Sequence, residues 1–189
     1  MIAIQTNSLS YEPIKRDVLF SILQIFGATL FLAICAQIRI PLYCSPVPLT
    51  GQTFGIMLIG ATMGSRKGLI CVLAYIAEGC LGLPVFAGGA FGLMSLIGPT
   101  GGYFLGFLSQ VYIVGCFVER QASFNPVKTM SILLASIAIQ LGLGVLWLSF
   151  LIGMKSAVIA GLCPFLVGEA MKSLGITLYL KRQFRIASR

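Results

Sequence analysis

Histidine is absent from this chain, and only five of its 189 residues are acidic. The first absence removes the usual proton shuttle of general acid–base catalysis and the commonest nitrogen ligand for metals. The second leaves Glu12, Asp17 and Glu119 scattered, with no pair at metal-ligand spacing. Six cysteines are present, at 35, 44, 71, 80, 116 and 163, but no C-x-x-C joins any of them. They read as small core hydrophobes, so no metal, cofactor or redox centre is expected. Charge as a whole is thin, at 10% of residues against roughly 25% in a soluble domain. So little charge cannot cover a surface that faces water.

What the chain has instead is apolar length. Hydrophobic residues make up 58% and the mean hydropathy is +0.98, which defines an all-α integral membrane protein. Its 189 residues form a single membrane domain: a cytoplasmic segment over about 1–17, helices over about 18–180 and a basic tail over 181–189. Six spans are expected. The first covers Val18 to Ile38, two short ones cover Phe54 to Gly64 and Gly68 to Leu83, and the fourth covers Gly101 to Val118. The fifth covers Lys128 to Ile152, and the sixth ends at Leu180. An even count puts both termini on one side. Placing them in the cytoplasm puts ten Lys and Arg residues inside and leaves only Arg39 and Lys155 outside, as the positive-inside rule demands. The net charge of +8 therefore reflects topology, and no basic stripe interleaved with aromatics suggests nucleic acid. The basic tail suits anionic lipid headgroups. The expected location is the bacterial cytoplasmic (inner) membrane, crossed several times.

Two outer connections, Arg39 to Gln52 and Leu83 to Thr100, are long, rich in Pro and Gly and almost uncharged, whereas the inner turn at Ser65 to Lys67 is tight and charged. Apolar, non-helical backbone at membrane depth is tolerated where protein covers it or where it lines a cavity. A ligand site near the outer face, covered by these loops, is the expectation. The run from Gly82 to Phe107 holds eight glycines and no charge. It lacks the lysine and the preceding strand of a phosphate loop. Two readings of it stand: close helix packing alone, or packing plus backbone contact with a ligand, with Phe86, Phe91 and Tyr103 as apolar walls.

Glu78, Glu169 and Lys172 are the charges deep within apolar segments, where ionisable groups are costly and usually functional. Glu169 and Lys172 are three residues apart and share a helix face. Pro164 marks the expected first turn of that helix, which hangs the pair beneath the outer loops. Either the pair only neutralises itself, or a ligand completes it, with Glu169 accepting N–H donors and Lys172 meeting an anionic group. Gln52, Tyr75, Gln110 and Gln140 add neutral polar groups for the same cavity.

The strings "AQIRIPL…PVPLTGQT", "YIAEGCLGLPVFAGG", "GPTGGYFLGF" and "PFLVGEAMK" follow one another from Ala36 to Lys172. In this they resemble the BioY family, the biotin-binding S-components of energy-coupling-factor (ECF) transporters. The resemblance implies six transmembrane helices, a biotin site under the first and third connections, and assembly with a transmembrane coupling subunit and two ATPase subunits. ATP would be used only by those partners. It also implies that Glu169 and Lys172 stand where the family's "PFLPGD-x-x-K" motif holds biotin, with Glu169 replacing the usual aspartate and Val167 the usual proline. The expected substrate-binding set is Gln52, Tyr75, Glu78, Phe86, Gly89, Thr100, Tyr103, Glu169 and Lys172. Thr29, Ala33 and Ala36 are the nearest match to a small-x-x-x-small docking face on the first helix. The competing expectations are a membrane enzyme, such as a transferase acting on lipid-linked substrates, and an S-component for another small anionic vitamin.

Overall fold

The computed structural model describes residues 12–43 and 45–187, without the side chains of 12–17 and 187. Expectations that fall on Cys44, Arg189, the segment 1–11 and the charges of Glu12, Lys15, Arg16 and Asp17 lie outside the described residues. The chain runs as α1 (Glu12–Gln37), a two-strand ladder of β1 (Arg39–Ile40) and β2 (Leu49–Thr50), then α2 (Gln52–Cys80). After a 3-10 turn at Ala87–Gly89 come α3 (Met94–Ile97), α4 (Gly101–Glu119), α5 (Pro126–Ile152) and α6 (Met154–Gly161). A second 3-10 turn at Cys163–Phe165 leads into α7 (Leu166–Ala187).

Among the described residues five helical stretches are long and apolar enough to cross a bilayer, and α2 supplies two passes. A continuous helix would hold Gln52 and Tyr75 roughly 35 Å apart at 1.5 Å per residue. Instead, Gln52 Nε2 donates to the Tyr75 hydroxyl at 2.9 Å. The fold-back occurs at Gly64, whose φ of 77° and ψ of −175° belong to a region that side chains rarely enter. The six expected passes are therefore present, with spans two and three forming a helical hairpin. Exposed Leu23, Phe26, Leu30 and Ile34 on α1, and Met171, Leu174 and Leu178 on α7, make an apolar outer surface. This is a multi-pass membrane protein.

The hairpin turn is tied at the inner end. The Glu119 carboxylate at the end of α4 accepts from the Ser65 backbone N–H at 2.7 Å and from Ser65 Oγ at 2.8 Å. An anion at the start of the second arm also meets the positive end of that helix. Glu119→Gln is expected to lower the detergent melting temperature while leaving ligand binding unchanged within about twofold, because the turn lies at the far end from the site. A thermal melt beside a binding isotherm reads both.

Small residues let the central helices close. A Cβ on Gly60 would lie 2.8 Å from the Val111 carbonyl, and one on Gly106 would lie 2.8 Å from the Gln140 carbonyl, so α4 sits tightly between α2 and α5. Leu32 and Ala36 of α1 are fully buried, and Leu32 meets α2 at Gly55. This corrects the expected docking face: Thr29 and Ala36 are buried inside the chain's own packing, and Ala33 is partly buried beside them. The stripe is occupied because Gly51, just before α2, and Gly55 within it leave room for α1 to lie against them. The short α6 was not expected from hydropathy. Gly153, at φ 80°, ends α5, and α6 buries Ala157 and Ala160.

Candidate functional site

A cavity of about 340 Å³ opens beneath the outer connections. The chain leaving α1 and the Pro46–Pro48 segment form one wall, and Gln52 and Thr53 at the start of α2 form another. Phe86, Ala87 and Ala90 come from the loop after α2, Thr100 from the cap of α4, and Tyr103, Phe104 and Phe107 from α4 itself. Gln140 and Leu141 of α5, Phe165 and Glu169 complete it. The size and the apolar walls with few polar groups are those of a small-molecule site.

Aromatic rings build the apolar side. Phe86 packs edge-on against Tyr75 at 5.6 Å and lies 4.7 Å from Phe104, which in turn meets Phe107 at 5.6 Å. Tyr103 donates to the Gly161 carbonyl at 2.8 Å, which fixes its ring against Gly144. Trp147 Nε1 donates to the Gly98 carbonyl at 3.0 Å and pins the glycine-rich turn ahead of α4. The glycines of that run therefore serve packing and loop geometry.

The polar side is a four-residue knot. Lys172 Nζ donates to the Thr50 carbonyl at 2.7 Å, to Thr53 Oγ at 2.7 Å and to Glu169 Oε1 at 2.8 Å. Thr53 Oγ donates to the same Glu169 oxygen at 2.7 Å. Glu169 lies in the first turn of α7, where the helix N-terminus favours an anion. Its other oxygen, Oε2, is buried without a hydrogen-bond donor among the described residues, and so is Oε1 of Gln140. Buried acceptors left without donors are costly, and the carboxylate more so than the amide. Both residues line the cavity.

Of the nine residues expected to bind substrate, Gln52, Phe86, Thr100, Tyr103 and Glu169 line the cavity. The other four do not. Tyr75 stands behind Gln52 and donates to the Val85 carbonyl at 2.8 Å, joining the two outer connections. Glu78 is half-buried outside the lining. Gly89, at φ 75°, shapes the turn between the lining residues Ala87 and Ala90. Lys172 carries three N–H donors, and all three are taken by the oxygens of the knot. Phe91 is exposed on the outside, and Gln110 is fully buried outside the lining.

Thr53 and Arg39 lie within quoted motifs, yet no role followed from sequence, since neither is an ionisable group deep in a span. Thr53→Val is expected to weaken ligand binding about tenfold, because it removes a hydroxyl that orients the carboxylate, a loss of about 1.4 kcal/mol. Calorimetry on the two proteins checks it.

The fold and the cavity are those of a membrane protein that binds a small molecule, and comparison with known proteins narrows the class. The BioY family model matches residues 7–189. The chain is 34% identical over 147 residues to the probable biotin transporter BioY of Pyrococcus horikoshii, covering 78% of this chain and 85% of that one. It is 37% identical over 138 residues to the biotin transporter BioY of Rhodobacter capsulatus, covering 67% and 73%. The crystal structure of the S-component for biotin from an ECF-type ABC transporter superposes with a TM-score of 0.79 at 28% identity, covering 92% of this chain and 98% of that one. The chain belongs to the BioY family.

Proposed function

We propose that this protein takes biotin from the outer side of the membrane and delivers it inward as the substrate-binding subunit of an ECF-type transporter. The observation that carries this reading is the unpartnered, buried Oε2 of Glu169 at the cavity wall. Biotin has a ureido ring with two N–H donors, an apolar thioether ring and a valerate carboxylate. The ureido N–H groups answer Glu169 and Gln140, and Phe86, Tyr103 and Phe104 offer apolar surface to the fused rings. The names borne by the relatives and by the matching structure support the same ligand. The chain holds no nucleotide site of its own in this reading. ATP hydrolysis falls to two partner ATPase subunits, joined through a membrane coupling subunit.

Titrating the detergent-purified chain with biotin by calorimetry tests this. Saturable binding of one biotin per chain is expected. A folded protein that takes up no biotin overturns the reading and reopens other small anionic vitamins.

A further inference from the structure

We infer that the α3 segment of the second outer connection lies in the outer leaflet of the bilayer, with Phe91, Leu93, Met94 and Ile97 against acyl chains, so that lipid and not water backs that wall of the cavity. The inference is independent of which small molecule the cavity binds.

The order of side chains here is the reverse of a water-facing turn. Leu93, Met94 and Ile97 stand on one face of the α3 turn, and all three are exposed, Met94 at 77%. Phe91 beside them is exposed as well. The polar side chain of the same stretch, Ser95, is turned the other way and lines the cavity. Leu96 packs against the core around Phe86 and Phe104. Exposed apolar side chains gathered in this way mark an interaction surface. No residue from Gly79 to Val118 is charged, so the segment brings no ionic group that would need water.

The backbone is closed as an apolar medium requires. The N–H groups of Ser95, Leu96, Ile97 and Gly98 all donate to carbonyls between Gly92 and Met94. The Gly92 N–H donates to the Gly79 carbonyl of α2 at 2.8 Å, which folds the segment back onto the end of that helix. The two hydroxyls are also turned onto carbonyls, Ser95 Oγ onto Phe91 at 3.3 Å and Thr100 Oγ onto Ser95 at 2.9 Å. Water would satisfy such groups without this closure, whereas lipid leaves an open one without a partner.

Trp147 sets the depth. Its Nε1 donates to the Gly98 carbonyl, just past α3. Beyond Trp147, α5 runs on to Ile152, a further rise of about 7.5 Å at 1.5 Å per residue. Phe150 and Leu151 in that last stretch are exposed and apolar. The end of α3 therefore lies level with the apolar outer surface of α5 and not above it. That continuity with the lipid-facing surface of the spans favours the bilayer over a partner protein. The boundary of headgroups and acyl chains is where a helix with one exposed apolar face rests.

Tryptophan quenching in lipid nanodiscs, which leave both faces open to solutes, tests this. Met94→Trp is made in the full-length chain, and wild type, with Trp147 alone, gives the baseline. The discs hold phosphatidylcholine brominated either near the headgroup or near the chain end, and iodide is the quencher in water. The added tryptophan is expected to lose about twice as much emission to the shallow bromines as to the deep ones, and little to iodide, as suits a side chain roughly 5–10 Å into the boundary. Ser123→Trp, in the exposed turn between α4 and α5, shows what a position in water gives. If Met94→Trp does not fold, Ile97→Trp reads the same face. Iodide quenching as strong as at Ser123→Trp overturns the inference. Protection from both bromines and iodide overturns it too, because a second copy or another protein would then cover the face. Stronger quenching by the deep bromines overturns the placement at the boundary.

Discussion

Glu169→Gln is expected to lower biotin affinity by at least a hundredfold. Two losses combine. The amide that replaces Oε2 turns an ionised acceptor into a neutral group, and a hydrogen bond to a charged partner is worth about 1.5–3 kcal/mol. The substitution also leaves the Lys172 amine, held against Thr50 and Thr53, without its counter-charge. The first loss alone, at about 3 kcal/mol, corresponds to a factor of roughly 150 in the dissociation constant, and the second is read in stability. The double variant Glu169→Gln with Lys172→Met separates the two losses. Removing both charges should recover thermal stability, because no buried cation is stranded, while biotin binding stays lost. Glu169→Asp keeps the charge but withdraws it by one methylene, and should fall between wild type and Glu169→Gln. Calorimetry and a thermal melt on the same samples read both quantities. Wild-type affinity in Glu169→Gln would remove the carboxylate from the site.

The passes of the bundle and the acid of the site were legible because both rest on simple energetics. A long apolar run has one stable form in a bilayer, and a glutamate among such residues needs a reason. The covered outer loops were legible for the same reason, since uncharged Pro- and Gly-rich backbone is out of place in water. What stayed hidden depended on distances between segments. Gln52 and Tyr75 meet across a hairpin whose break at Gly64 is a single backbone rotation with no hydropathic trace. Lys172 was paired with the ligand because its charge is visible in sequence, whereas the Thr50 carbonyl that helps to hold it belongs to β2, over a hundred residues away. Arg39 was counted only as an outer charge, because its reach toward Gly88 depends on how two loops cross. The small residues of α1 looked like a docking stripe, and Gly55 of α2 had already made room for the neighbouring Leu32.

Gly79→Ala is expected to cost biotin binding at least tenfold although Gly79 does not line the cavity. The ring of Phe86 lies directly on Gly79, and a Cβ there would collide with Cζ, Cε1 and Cε2 of the ring. The ring has little room to move away, because Tyr75 and Phe104 flank it and Phe86 is 2% exposed. The side left to it is the cavity, which it already walls. One methyl group therefore becomes a displaced aromatic ring in the ligand's place. Overpacking of this kind costs about 1–3 kcal/mol, so some loss of thermal stability should accompany the loss of affinity. Phe86→Leu in the same chain gives the added methyl its space, and the double variant should bind biotin better than Gly79→Ala alone. That reversal distinguishes a steric route through Phe86 from general damage to α2, which a second substitution would deepen. A double variant no better than the single one would show that Gly79 acts on the helix and not on the wall of the site.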